Sequence, residues 1–439
     1  MTLARPNLFK LLAVAATFVA ALGAFALITR SGGEVARSGV AAADGELPRP
    51  GATTDERIRG YQAAVRTTPG DASLRAALAG AYLQKVRETG DPGFYARADA
   101  VLRRARALTP NDYRVLTASG TLALARHDFA GGLAYGLAAR RGNPASDAPY
   151  PVIVDGLVEL GRYDQAGREL QRFVDAKPTL ASYSRVSYFR ELHGDLAGAA
   201  QAMAFAVSAG GDTAENAAYV QSLLGTLEFD RGRLGAAGQA FRLALVRFPG
   251  YVPAAAGLAR VEAAEGRSGA AIRRYRDVVA RLPLPEYVVA LGEAELAAGR
   301  TVQARRDLAL VAAEERLLQA NGVNTDVDLA LFEANHGSPA RAVALARRAW
   351  STAPSVRSAD ALGWALTAAG RPREGLAWAR RALGLGSRDA GLNYHAGMSA
   401  RAAGDRAAAR RYLHAALAGN PRFSPLYGPR AQRALEAVS

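Results

Sequence analysis

Small apolar residues recur at fixed distances from a glycine turn along most of this chain. A turn glycine is followed five residues later by alanine at Gly161/Ala166, Gly194/Ala199, Gly232/Ala237, Gly266/Ala271, Gly299/Ala304, Gly337/Ala342 and Gly404/Ala409. Successive turns are 33, 38, 34, 33 and 38 residues apart, then 33 residues to Gly370 and 34 more to Gly404. A period near 34 residues with helical composition predicts stacked helix pairs, in which each unit contacts only its neighbours.

Two further positions keep the same register. Seven residues before the turn, where two helices must approach closely, the residues are Gly120, Val154, Ser187, Gly225, Ala259, Gly292, Ala330, Gly363 and Gly397. Seventeen residues after the turn stand Pro144, Pro178, Pro249, Pro283, Pro354 and Pro421. Proline cannot donate the helix hydrogen bond, so we predict that the second helix of each pair ends before it.

This order of residues resembles the tetratricopeptide repeat. Its small, turn, alanine, aromatic, alanine and proline positions are matched by Gly225, Gly232, Ala237, Phe241, Ala244 and Pro249. The resemblance covers about residues 71–421 in ten full units, with His127 in place of one turn glycine. It implies an all-α fold, a right-handed α-solenoid of about ten helix pairs, whose first helices line a concave groove. The two 38-residue intervals place four extra residues near 210–216 and near 317–325.

The N-terminal segment has a different hydropathy from the repeats. Residues 11–28 carry no charge, and as a helix they would extend about 27 Å, close to the ~30 Å hydrocarbon thickness of a bilayer. This run is longer than the ~7–15 apolar residues usual in a signal peptide. We therefore predict an N-terminal transmembrane helix that anchors the chain in a cell membrane as a single-pass protein, with its repeats extracytoplasmic. Secretion after signal cleavage is the alternative.

These patterns divide the chain into five predicted parts. They are a signal anchor over 1–30, a flexible tether over 31–52, a degenerate half repeat over 53–70, the repeat array over 71–423 and a capping helix over 424–439. In layout the chain resembles membrane-anchored bacterial repeat proteins that serve envelope biogenesis, secretion or polymer export.

Composition narrows the chemistry. Cysteine is absent, which excludes disulfides, thiolate metal sites and cysteine nucleophiles. The formal charge is +15, but the arginines are spread along the second helices, which is typical of a solvated outer face. We found no nucleophile elbow, phosphate loop or metalloprotease signature, and His127, His193 and His336 lie at turns, where they can cap helices. The chain is therefore expected to be no enzyme and to hold no cofactor or metal.

The concave face is the predicted binding surface, with a protein or peptide as the partner. Carrying over the groove-facing positions of the tetratricopeptide repeat gives Arg114, Asp155, Tyr188, Glu191, Tyr219, Asp230, Arg260, Glu286, Glu293, Asp360, Trp364, Tyr394 and Arg401. Aromatic residues beside charges of both signs suit an extended peptide or a partner's helix. The predicted function is a non-enzymatic scaffold in envelope assembly or secretion. Two alternatives are a cytoplasmic-facing adaptor or regulator that contacts nucleic acid or anionic lipid, and a polysaccharide-binding repeat domain, although nucleic acid is not the expected partner.

Overall fold

The regular secondary structure is helical throughout the part of the chain that the structure describes. The computed structural model describes residues 47–49, 51–211 and 213–439, and its helices alternate along the chain in ten antiparallel pairs. The first helices, called inner helices below, are α2 (Ala72–Thr89), α4 (Tyr113–Ala125), α6 (Tyr150–Glu159), α8 (Leu180–Glu191), α10 (Ala214–Asp230), α12 (Val252–Ala264), α14 (Pro285–Ala297), α17 (Asp326–His336), α19 (Val356–Ala368) and α21 (Ala390–Ala402). The second helices, called outer helices, are α3 (Gly93–Leu108), α5 (Phe129–Gly142), α7 (Tyr163–Ala176), α9 (Leu196–Ala209), α11 (Leu234–Arg247), α13 (Ser268–Arg281), α15 (Thr301–Leu308) with α16 (Val311–Ala320), α18 (Pro339–Thr352), α20 (Pro372–Ala382) and α22 (Arg406–Gly419). Helix α1 (Thr54–Thr67) precedes the pairs, and α23 (Tyr427–Glu436) follows them.

The turns between inner and outer helices use left-handed backbone, which glycine adopts without steric cost. The glycines with φ between 69° and 81° at these turns are Gly161, Gly194, Gly232, Gly266, Gly299, Gly370 and Gly404. His127 takes the same conformation with φ of 59°. Gly337 differs, with φ of −127°, and there the backbone N–H of Ser338 donates to the Glu333 carboxylate. The sequence register therefore located these turns, and only the one at Gly337 is closed in another way.

The ends of the outer helices follow the proline positions. Helices α5, α7, α11, α13, α18 and α22 each end two residues before the predicted proline. The first group of extra residues lengthens α10, which has 17 residues where α12 has 13. The second group accompanies the division of one outer helix into α15 and α16, followed by the loop 321–325.

Close packing within the array depends on the small-residue positions. Phe241 of α11 is buried between Gly225 of α10 and Gly257 of α12. A Cβ atom on Gly225 would lie 2.8 Å from the Phe241 ring, and one on Gly257 would lie 2.3 Å from it. Since both distances are far inside van der Waals contact, the aromatic ring occupies the space that the two missing side chains leave. Glycine here sets how closely three helices can approach.

The inner helices form the inside of a narrow superhelix. Consecutive inner helices pack against each other, whereas outer helices pack mainly against inner ones. Units far apart in sequence also touch. Asn324 donates its backbone N–H to the Arg126 carbonyl at 3.0 Å, the Val356 N–H donates to the Tyr163 hydroxyl at 2.8 Å, and the Asn420 amide donates to the Phe229 carbonyl at 2.8 Å.

These distant contacts show that successive superhelical turns lie against one another. The Val356–Tyr163 separation of 193 residues, divided by a period near 34, gives about 5.7 units per turn. The prediction that each unit contacts only its neighbours is therefore wrong. Small rotations between units add up to a closed turn, which brings each unit against another five or six units later.

The predicted membrane localisation is also overturned. The apolar run at 11–28 and the proposed anchor over 1–30 lie outside the described residues. Within the described ranges, no helix combines the length and the apolar character that crossing a bilayer requires. The prediction of a single-pass membrane protein with extracytoplasmic repeats is corrected accordingly.

Candidate functional site on the inner wall

The inner helices line the inside of the superhelix, and we call the surface that their side chains form the inner wall. Aspartate–arginine pairs join consecutive inner helices along this wall. The pairs are Asp155–Arg185, Asp230–Arg260 and Asp328–Arg357, with partners 30, 30 and 29 residues apart. In the first pair Arg185 donates to both carboxylate oxygens of Asp155, at 2.8 and 2.6 Å, and the two side chains are only 3% and 13% exposed. Two parallel hydrogen bonds fix both distance and orientation. The pairs therefore hold neighbouring inner helices in register.

Glu159 lies at a junction between two superhelical turns. It is the last residue of α6, and burial raises the pKa of its carboxyl group to about 7, opposed by the positive charge of Arg357. Tyr188 of the next inner helix hydrogen-bonds to the same carboxyl group. Since Arg357 belongs to α19, this electrostatic interaction couples the third inner helix of the array to the ninth.

Glu191, at the end of α8, shares its surroundings with two other carboxyl groups. Burial raises the pKa of Glu191 well above its usual range, and the negative charges of Asp230 and Asp389 raise it further. A carboxyl group that keeps its proton can donate as well as accept a hydrogen bond. The predicted site residues Asp155, Tyr188, Glu191 and Asp230 thus belong to one polar wall that also contains Glu159.

A second group of predicted residues meets near the C-terminal end of the array. Glu293 of α14 accepts from the Tyr427 hydroxyl at 2.9 Å, and His336 Nε2 lies 3.1 Å from the same carboxylate oxygen. Tyr427 lies 134 residues after Glu293, so the two side chains belong to units that are not neighbours in the array. Side chains of non-adjacent units therefore meet inside the coil, as Gln84 and Glu215 do at 2.9 Å in the first half.

Aromatic rings and one carboxylate complete this group. His395 Nδ1 lies 3.0 Å from both oxygens of Asp360, and the Trp364 indole stacks on the His395 ring with centroids 4.5 Å apart. Trp364 also donates its indole N–H to Asn335 at 2.8 Å. The Tyr394 ring lies 5.9 Å from Trp364, between centroids. Each ring is therefore fixed by a packing or polar contact.

The remaining predicted residues are distributed differently. Tyr219 is buried, with its surroundings shared by Arg185 and Asp155. Arg114 is half-buried, with its guanidinium 5.1 Å from the Tyr113 ring centroid. Glu286 and Arg401 are exposed. The structure thus brings ten of the thirteen predicted residues into two polar groups and leaves Arg114, Glu286 and Arg401 outside them.

Several wall residues were not predicted from the sequence. They are Glu159, Arg185, His336, Arg357, His395 and Tyr427. A search for opposite charges 29 or 30 residues apart would have found Arg185 and Arg357, because that spacing joins consecutive inner helices. No local signal marks Tyr427 or the Arg357–Glu159 contact, which depend on how the superhelix closes.

The polar groups of the wall are mainly paired charges. Within the described ranges, no group of three or more histidine, aspartate or glutamate residues is placed to hold a metal ion. His395 and His336 each face a carboxylate, an arrangement that orients an imidazole. What the wall presents is a set of paired charges and fixed aromatic rings.

No protein-family model matches this chain, and no curated protein matches it. Similar solved structures include the human IFIT1 dimer with PPP-AAAA, at 13% identity and a TM-score of 0.45, covering 83% of this chain and 86% of that one. Yeast Tom70 is 13% identical over 94% of each chain, with a TM-score of 0.36. The APC/C hetero-tetramer Cut9–Hcn1 is 16% identical over 88% of this chain and 73% of that one, with a TM-score of 0.37. At these scores none of them supports an inference about function, and the tetratricopeptide-like repeat fold rests on the helix pairs described above.

Proposed function

We propose that this chain is a non-enzymatic scaffold that binds a protein or peptide partner through the inner wall of its helical array. The observation that carries the proposal is the pairing of aromatic rings with charges on that wall, as in Trp364 stacked on His395 beside Asp360. Aromatic anchors next to charged groups dominate the energetics of protein interfaces. Side chains already held by neighbours lose less conformational entropy on binding, which favours affinity.

The accessible members of the predicted set are the natural first contacts. Glu286 on α14 and Arg401 on α21 are exposed, and neither takes part in the paired groups described above. Desolvation by the surrounding wall raises the pKa of the Glu286 carboxyl group to about 7, so Glu286 supplies an acidic contact and Arg401 a positive one, and together they would set the direction of a bound peptide. The buried pairs behind them would keep the wall rigid.

Position-specific photocrosslinking tests the proposal. A benzoylphenylalanine is introduced at Glu286 or at Arg401, and the matched controls carry it at Asp277 on α13 or at Arg410 on α22, which are exposed residues of the same charges on outer helices. We expect one defined partner to be crosslinked from both inner positions and from neither outer one. Crosslinking of that partner from the outer positions alone would overturn the inner wall as the binding surface.

A further inference from the structure

A pocket of about 170 Å³ lies between outer helix α11 and inner helix α12, away from the inner wall. Gly235, Gly238 and Arg242 of α11 line one side, and Leu258 and Val261 of α12 line the other. Glu262 of α12 lines it as well. Leu258 and Glu262 are each two residues from Arg260, so they lie on nearly the opposite face of α12 from Arg260, which belongs to the inner wall. The pocket is therefore separate from the site described above.

The pocket exists because glycine replaces a larger side chain in the repeat register. Gly238 directly follows the packing alanine. The same position holds an apolar side chain in five other outer helices, Leu133, Ala200, Ile272, Val343 and Leu376, and a charged one in three, Asp99, Arg305 and Arg410. Of these, Ile272 is fully buried and Leu133 is 4% exposed. In α7 the position is Gly167, but there the Phe189 ring comes within 3.0 Å of where a Cβ would be. At Gly238 the nearest such atom is an Arg242 guanidinium nitrogen at 3.3 Å, so no apolar side chain fills the space.

The charges around the pocket leave one cation without a counter-ion. Glu262 accepts two hydrogen bonds from Arg274, at 3.0 and 2.7 Å, and Glu265 is paired with Arg267. Arg242 makes no hydrogen bond or ion pair with any other residue that the structure describes. The pocket is lined by the apolar side chains of Leu234, Leu258 and Val261 and by these two satisfied ion pairs, and the one unmatched guanidinium at its edge favours a group that is aliphatic and then anionic.

The size of the pocket limits the occupant to a single side chain. Sites for small-molecule ligands usually have volumes of about 300–1,000 Å³, well above the 170 Å³ found here. Next to the pocket on α11, Leu243 is 44% exposed and Val246 is 75% exposed, which extends an apolar surface beyond it. We propose that the pocket receives a glutamate side chain of a protein partner, with its methylene groups against Leu258 and Val261 and its carboxylate on Arg242. Because the pocket faces away from the inner wall, this inference stands independently of the proposed function.

Methyl NMR of the full-length chain tests the pocket directly. The probe is the peptide acetyl-Ala-Leu-Glu-Leu-Ala-amide, and the readout is the methyl signals of Leu258 and Val261. We expect saturable shifts of both, and at least a tenfold weaker response to the same peptide with glutamine in place of glutamate. Equal responses to the two peptides, or no shift at millimolar concentrations of the glutamate peptide, would overturn the proposal.

Two variants separate the cation from the cavity. Arg242→Gln removes the unmatched charge at an exposed position, and Gly238→Ile places in the cavity the side chain that α13 carries at residue 272. Each is expected to weaken binding of the glutamate peptide at least tenfold. Arg273→Gln, at an exposed arginine on α13, is the matched control and should bind as the wild type does. Wild-type affinity in Arg242→Gln would rule out the proposed ion pair even if Gly238→Ile failed to fold.

Discussion

The inner and outer helices alternate along one chain but have different surroundings. Inner helix α4 buries ten of its thirteen residues, whereas its outer partner α5 buries four of fourteen. An outer helix packs through one face, while an inner helix meets its partner, its neighbours and the side chains of distant units. A charged group buried on the inside must therefore be paired, as Asp155 is, or have a raised pKa, as Glu191 has, whereas groups on the outside can rely on water.

The largest expected difference concerns ion pairs on the two sides. Arg185→Ala leaves the Asp155 carboxylate buried without its partner, which should lower the free energy of unfolding by about 3–5 kcal/mol. Arg371→Ala breaks an exposed pair with Glu374 on an outer helix and should have a much smaller effect, because water already solvates both groups. Urea unfolding followed by circular dichroism measures both. Equal losses would mean that the inner pairs are as solvated as the outer ones.

A matched pair of glycines tests the contact between superhelical turns. Gly161 and Gly266 have φ of 69° and 81°, so alanine at either should cost about 1 kcal/mol of backbone strain. A Cβ at Gly161 would also lie 2.2 Å from the Pro354 carbonyl oxygen, whereas nothing lies within 4 Å of one at Gly266. We expect Gly161→Ala to lower the free energy of unfolding by a further ~1–3 kcal/mol, because the added Cβ atom would force the two superhelical turns apart. Identical midpoints of thermal unfolding for the two variants would contradict the contact between successive superhelical turns.

The buried carboxyl group of Glu159 should make stability depend on pH. Its pKa of about 7 in the folded protein lies above the value near 4.3 of an unfolded glutamate, so the folded state binds the proton more tightly. The stability that Glu159 contributes is then fully present below about pH 4 and is lost as the pH rises to about 7. Glu159→Gln should remove this dependence and exceed the wild type by about 3–4 kcal/mol at pH 8, and by only about 1 kcal/mol at pH 5.

Glu374 provides the control for that pH profile. It is exposed on an outer helix, and its hydrogen bonds from Arg371 hold the pKa of its carboxyl group below the usual range. Glu374→Gln should therefore give no gain in stability at pH 8. A gain equal to that of Glu159→Gln would point to a general effect of net charge.

The smallest effect is expected on the outer face. Val246→Ala changes a side chain that is 75% exposed on α11, and surface substitutions of this kind usually change stability by less than about 0.5 kcal/mol. Ile153→Ala, at a fully buried position on α6, should cost about 2–5 kcal/mol by the same assay. A loss above 1 kcal/mol at Val246 would show that this part of the outer face is covered in solution, and sedimentation would test for self-association.

The sequence predicted what local chemistry decides. Turn glycines such as Gly232 and helix-ending prolines such as Pro249 act within a few residues, so their positions were sufficient to locate the helix pairs. The arrangement of the wall depends on the rotation from one unit to the next, which no single repeat reveals. The contact of Glu159 with Arg357, 198 residues later, follows from the sum of those rotations. The site residues on the concave face remain a prediction for the experiments above.

The touching turns change how many neighbours a unit has. In an ordinary helical array each unit contacts only the unit before it and the unit after it, so shortening the array leaves the remaining units folded. Here the unit whose turn contains Gly161 also packs against Pro354, which lies one superhelical turn further along the array. Removing the last three units would thus withdraw the interactions that the third, fourth and fifth units make with Val356, Asp389 and Asn420. The array therefore resembles a rolled two-dimensional lattice of helices, in which removing units at one end also destabilises units in the middle.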